Sequence, residues 1–302
     1  MCNIAGIANI ANNSAENQEK IAFVAQMMIY HMATYNTDGC GIAIGFKDGT
    51  SSYKKTAESG ETWAGKLSLT DQKEYANIIL HTRTATTGAV CDMNAHPFET
   101  SFGFLVENGW QHELFRKYID KMKTSCDTEV LAYFFNPDPE IFNSFLEGPE
   151  HFCIAHLAED GSNIQIFNKN KSQWMYHSDV ISADIFCTSR NVLLEVCSIL
   201  EENPDIQSVP NNTTVLFEDG NVTKEHFEFK DLPWRGGGMS YLEPYGAERR
   251  FYDAADYFEY NQQRAMEVQN IFKPKKLSRK EKKRAKKDKM YQDLFKNYID
   301  KD

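Results

Sequence analysis

The sequence lacks any run near the ~18 consecutive apolar residues of a membrane span, and its N-terminus has no basic stretch followed by an apolar one. The expectation is a soluble protein of the cytoplasm with no membrane partner. The seven cysteines, at positions 2, 40, 91, 126, 153, 187 and 197, are odd in number and include no C-x-x-C pair. That argues against a secreted disulfide framework and against a zinc ribbon. The eight histidines form no H-E-x-x-H and no other metal-ligand spacing, so no metal site is expected. No internal repeat is found.

What is present is a globular composition, 41% hydrophobic and 13% aromatic against 25% charged. At 302 residues the chain has room for about two domains, or one large domain with an extension. Its charge is unevenly spread. Residues 273–289 hold eleven Lys or Arg against Glu281 and Asp288, a net +9 that leaves −19 for the rest of a chain whose total is −10. An acidic body repels polyanions, which makes it a poor candidate for a nucleic-acid surface; the basic tail is a separate matter.

Residues 2–10 (CNIAGIANI) read as a buried strand. Ile21, Val24, Ala25, Met28, Ile29 and Met32 recur at three- and four-residue spacing, which predicts an amphipathic helix over 18–32 with Ser14 placed to cap it. After a turn at Thr37-Asp38-Gly39, residues 41–46 read as a second strand, and the polar stretch 47–72 as a long loop or irregular insertion. Short apolar runs at 78–81, 102–106, 152–157, 164–167, 185–187, 214–217 and 225–229 are further strands. Residues 127–135 and 191–201 read as helices, with Asp127 and Asn191 near their starts. Runs of strands with helices grouped between them predict a layered α+β fold.

Cys2 stands apart from the other cysteines. Initiator methionine is trimmed when the next residue is small, so the mature chain is expected to begin with Cys2, carrying a thiol and a free α-amino group. Their ordinary pKa values, about 8.5 and about 7.7–8.0, nearly balance proton transfer between them. One residue is then both nucleophile and base. The plain alternative is a small buried hydrophobe at the start of a strand.

MCNIAGIA at 1–8, TDGCGIAIG at 37–45, HTRTATTG at 81–88, NAHPF at 94–98, VENGW at 106–110 and CDTEVL at 126–131 together resemble the glutaminase domain of class II glutamine amidotransferases; IFCTSRNVL at 185–193 is similar to a later strand-to-helix segment of that domain. The resemblance covers roughly residues 2–230. It implies an N-terminal-nucleophile hydrolase fold, a four-layer αββα sandwich, and L-glutamine as substrate with no cofactor. It also assigns roles. Cys2 attacks the side-chain amide; Arg83 binds the α-carboxylate with its planar fork of donors; and Asp127 receives the α-ammonium. Asn108, through its side-chain amide, and Gly109, through its backbone N–H, hold the oxyanion, while Thr86, Thr87 and Gly88 line the glutamine pocket. Two plainer readings stand beside these: Asn108-Gly109 as a type I′ hairpin turn, and Asp127 as a helix N-cap.

Several positions depart from the family pattern. Tyr35-Asn36-Thr37-Asp38 replaces the usual R-G-x-D, Thr84 replaces an aromatic residue, Thr87 a histidine, and Trp110 a smaller side chain. The expected organisation is a glutaminase domain at 2–230, a linker with an aromatic and acidic segment at 231–272, and a basic tail at 273–302, helical or disordered. The expected activity releases ammonia to a separate acceptor, a synthetase or ligase. The tail would dock that partner or a nucleic acid, or simply be solvated. The alternatives are a stand-alone N-terminal-nucleophile amidohydrolase of another amide and a non-catalytic binding protein on the same fold.

Overall fold

The computed structural model describes residues 2–69, 73–145 and 151–229. Two antiparallel sheets lie face to face. The first runs, edge to edge, β11 (Gln207–Ser208), β9 (Trp174–Ser178), β10 (Ala183–Cys187), β1 (Asn3–Ala8), β4 (Tyr75–Thr82), β2 (Cys40–Phe46) and β3 (Ser51–Thr56). The second runs β13 (Asn221–His226), β12 (Thr213–Glu218), β8 (Asn163–Lys169), β7 (Phe152–Ala158), β6 (Gly103–Asn108) and β5 (Phe98–Thr100). Helices α1 (Ala15–Met32), α2 (Gly60–Ala64) and α6 (Arg190–Ile199) cover the outer face of the first sheet. Helices α3 (His112–Tyr118), α4 (Thr128–Phe134) and α5 (Pro139–Phe145) cover that of the second. This is the expected αββα sandwich.

The period-two geometry of a strand divides its side chains between two cores. In β1, Ala5 and Ile7 pack towards the helices, while Ile4 and Ala8 pack between the sheets. In β6, Leu105 faces the helices and Phe104 and Val106 face the other sheet. Both faces being buried, these strands read as continuous apolar runs rather than alternating ones. Each fully buried Ile, Leu or Phe contributes roughly 1.5–3 kcal/mol. Helix α1 buries the predicted stripe from Ile21 to Met32, and Ser14 Oγ accepts from the Asn17 N–H at 3.3 Å, as a cap does.

The stretch 47–72 is not one long loop: it contains β3 and α2. β3, SSYKKT, is an edge strand with no fully buried residue, so it carries no apolar alternation to read. The final strand starts at Asn221, earlier than expected. Asp219 and Gly220, both at positive φ (50° and 76°), form the two-residue turn that pairs it with β12, the type I′ geometry an Asp-Gly pair favours. Strands β5, β9 and β11 and helices α3 and α5 carry too little periodicity to be anticipated. Among the described residues no helix is long and apolar enough to cross a membrane. The segments expected at 231–272 and 273–302 lie outside the described residues.

Candidate active site

Cys2 immediately precedes β1, the middle strand of the seven-stranded sheet. Its neighbours are tied down on both sides: Asn3 pairs with Thr82 of β4, and the Ile4 N–H donates to Thr188 Oγ1 at 3.0 Å. The Cys2 thiol donates to the Thr84 carbonyl, with Sγ 3.6 Å from the oxygen. Across a trans peptide the C=O and the following N–H point in opposite directions. The Ala85 N–H donates to Asp38 Oδ2 at 2.8 Å, so Asp38 aims the Thr84 carbonyl at the thiol. Burial is the largest influence on the thiol and pushes its pKa up; Arg83 draws it down and Glu107 pushes it up. The thiol is therefore neutral at rest.

The corner at Tyr35-Asn36-Thr37-Asp38 is held by Asn36. Asn36 is fully buried; its Nδ2 donates to the Met32 carbonyl at 3.0 Å, and its Oδ1 accepts from the Thr84 hydroxyl at 2.6 Å. The Thr84 hydroxyl that replaces an aromatic ring is thus a tether between the end of α1 and the loop after β4.

Arg83, only 2% exposed, follows β4 directly. Its Nη1 donates to the Ala89 carbonyl at 3.0 Å and its Nη2 to the Thr87 carbonyl, so the guanidinium folds the pocket loop around itself. A guanidinium has five N–H donors, and these two bonds leave capacity for a ligand. Gly88 sits at φ +78°, and a Cβ there would lie 2.4 Å from the Ser125 carbonyl oxygen. The loop thereby presses against the chain leading to Asp127, where the Ala89 N–H donates to Ser125 Oγ at 3.2 Å. Thr86 is exposed, and Thr87 and Gly88 are half-buried.

Asn108 ends β6, opposite Cys153 of β7, and is buried. Cys153 packs between the sheets, so Asn108 sits on the face of its sheet that looks towards β1. Neither Asn108 nor Gly109 has positive φ, which excludes the type I′ turn. A Cβ on Gly109 would lie 2.6 Å from Glu107 Oε1 and 3.0 Å from Phe152 Cβ, so close approach is what requires glycine here.

Asp127 stands at the N-terminus of α4 yet makes no capping bond with its side chain. Its Oδ2 accepts from the Gln111 N–H at 2.6 Å, which ties α4 to the segment after Gly109. The N-cap reading of its carboxylate is corrected accordingly: the backbone donor it satisfies belongs to another element.

Sequence reasoning missed the buried polar group behind these residues. Glu107 is 1% exposed; its Oε1 accepts from Gln111 Nε2 at 2.8 Å and its Oε2 from the Thr128 hydroxyl at 2.7 Å. Burial first, and then the charge of Asp127, raise its pKa far above the usual carboxylate range. His81 and His96, both buried, stack with centroids 3.9 Å apart. His81 Nε2 lies 2.9 Å from the Glu107 carbonyl, and His96 Nδ1 accepts from the Glu107 N–H at 3.2 Å. That acceptance puts the ring proton of neutral His96 on Nε2. The signals were there: a glutamate within an apolar strand, and histidines inside two of the quoted motifs.

Cys2, Arg83, Asn108, Gly109 and Asp127 thus gather at one end of the sandwich, linked through Glu107 and Gln111, with Thr86, Thr87 and Gly88 on the loop that Arg83 organises. No family model matches the chain, and no curated protein matches it in sequence. Solved structures match its fold. One is the allosteric regulatory enzyme of purine biosynthesis, with TM-score 0.58 and 15% identity over 76% of this chain and 50% of that one. Another is glutamine phosphoribosylpyrophosphate amidotransferase from B. subtilis, complexed with ADP and GMP, with TM-score 0.55 and 15% identity over the same shares, 76% and 50%. The chain spans about half the length of these proteins. The chain shares the α+β fold of these structures, two antiparallel sheets packed face to face between layers of helices.

Proposed function

We propose that the protein hydrolyses the side-chain amide of L-glutamine with Cys2 as nucleophile, and that the ammonia passes to a separate acceptor enzyme. The observation that carries this reading is the position of the Cys2 thiol, at the start of the central strand and donating to the carbonyl of Thr84, the residue after Arg83. With Met1 removed, the α-amino group of Cys2 takes the thiol proton directly or through a water. The thiolate attacks the amide carbon, and the oxygen that becomes negative accepts from Asn108 Nδ2 and the Gly109 N–H. The C–N bond then breaks as the α-ammonium returns its proton to the leaving nitrogen, which departs as ammonia. Water hydrolyses the γ-glutamyl thioester and frees glutamate and the thiol. Arg83 and Asp127 hold the α-carboxylate and α-ammonium meanwhile, a pair that favours an amino-acid head group over other amides.

Glutamate release from glutamine, compared between the native chain and Cys2→Ala, tests the reading. Release that depends on Cys2 supports it; release that survives Cys2→Ala, or retained Met1 in active protein, refutes it. Capture experiments with the full chain and with a chain lacking 273–302 test the separate acceptor, which should co-purify as an amide-forming synthetase or ligase.

A further inference from the structure

Two buried carboxylates meet at one residue. The Gln111 backbone N–H holds Asp127, and its side-chain N–H holds Glu107. The other end of that amide, Gln111 Oε1, is buried and accepts no hydrogen bond among the described residues. A buried carbonyl without a donor costs roughly 1–3 kcal/mol, and it sits beside two acids rather than beside a donor. No cation forms an ion pair with Glu107 among the described residues; Lys171 acts on it only at a distance.

We propose that Glu107 and Gln111 complete the subsite for the substrate's amino group, Glu107 as a second carboxylate beside Asp127 and Gln111 Oε1 as the acceptor for one of its N–H groups. The inference rests on the glutaminase reading and deepens it. A primary ammonium carries three N–H donors. Asp127 alone neutralises its charge, but Asp127, Glu107 and Gln111 Oε1 together offer an acceptor for each donor.

The second carboxylate adds a proton linkage. In the absence of a cation the pair holds one proton, on Glu107, and the Thr128 hydroxyl is the bond that can reverse: it donates to the ionised carboxylate and accepts from the protonated one. When the ammonium arrives, that proton leaves to solvent and Glu107 ionises. The titratable and charged groups around Glu107 are Asp127 at the head of α4, His81 on β4, His96 before β5, Cys2 before β1, Cys153 on β7 and Lys171 between β8 and β9. The two histidines are buried and neutral throughout the window concerned. Glutamine therefore binds about tenfold more tightly for each pH unit gained on the acid side of the Glu107 titration, which burial and Asp127 place at about 8. An analogue without the amino group, glutaramate, gains nothing from that proton loss.

The test is calorimetric binding of glutamine to the full-length Cys2→Ala chain between about pH 6 and about pH 9, in buffers of different ionisation enthalpy, a span chosen to bracket the Glu107 titration. The expected result is close to one proton released per glutamine bound near neutrality, the tenfold slope in affinity, and the loss of both in Cys2→Ala/Glu107→Gln. Glutamine binding with no proton released by Cys2→Ala overturns the inference without any substitution at Glu107, and so does an unchanged slope in Glu107→Gln. Either result leaves the glutaminase reading standing if the native chain still releases glutamate. Absence of both binding and Cys2-dependent release removes that reading and this inference together.

Discussion

Mild acid should weaken this fold by an amount that its buried histidines set. Burial holds His81 and His156 down to about 3, and holds His96 well below its ordinary value, helped by the charges of His81 and Arg83. In the unfolded chain each titrates near 6.5. Between that value and the depressed one, the unfolded chain binds protons that the fold refuses, so their contribution is full above about pH 6.5 and is lost as the pH falls. At about pH 5.5 each costs about 1.4 kcal/mol, or about 4 kcal/mol for the three, against a total stability of about 5–15 kcal/mol. Glu107 works in the opposite sense. Raised in the fold, its contribution is complete below the unfolded value and is lost as the pH climbs towards about 8. Going from about pH 7 to about pH 5.5 it returns at most about 2 kcal/mol, so the net loss is about 2 kcal/mol. Urea unfolding followed by tryptophan fluorescence at the two pH values measures it. Glu107→Gln should expose the full histidine loss of about 4 kcal/mol, and His156→Gln, at a ring that stacks on Phe135 far from Cys2, should remove about a third of it. Equal stability at the two pH values in Glu107→Gln, or a His156→Gln slope identical to the native one, would refute the reasoning.

Three further outcomes follow from the site. On the proposed mechanism Asn108→Ala should lower kcat for glutamine about 10²–10³-fold with little change in KM, because the lost donor would act only on the developing oxyanion; steady-state glutamate assays measure the split. Gly88→Ala forces a Cβ to 2.4 Å from a backbone oxygen at a φ of +78°, and urea titration should show a loss of at least about 1–2 kcal/mol, with weaker glutamine binding as the Arg83 loop shifts. Asp38→Ala leaves the Ala85 N–H without its acceptor, at a cost of roughly 1–3 kcal/mol, and frees the Thr84 carbonyl from its aim at the thiol. The rate of Cys2 alkylation should change in this variant, and an unchanged rate would show that Asp38 does not govern the thiol's surroundings.

The sandwich was legible wherever a strand or helix buries a whole face. β1, β2, β4, β6 and the α1 stripe are apolar enough to announce themselves, and Ser14 caps where a serine before a periodic stretch should. β3 escaped because it is an edge strand with polar side chains on both faces, and α3 and α5 because seven residues hold too few turns for a stripe to repeat. At the site, Cys2, Arg83 and Asp127 drew attention because single residues with distinct chemistry sit in quotable motifs. Glu107 and Gln111 did not, since their significance lies in a convergence of β6, α4 and the segment between them that no local pattern records. The Asn36 corner illustrates the same limit from the other side: the departure at Tyr35-Asn36 was visible in the sequence, whereas the bonds that Asn36 makes became visible only with Met32 and Thr84 in place.

The central position of β1 has a consequence in time. The strand that begins beside Cys2 is completed on one side by residues 75–82 and on the other by residues 183–187. During synthesis its second neighbour does not exist until nearly two hundred residues have been joined, which at ribosomal speed takes roughly 10–40 s. For that interval the nascent N-terminus has no complete sheet to enter, and the Met1 removal that the proposed function requires has its window there. Topology thus places the closing of the sheet around β1 after most of the chain has been made.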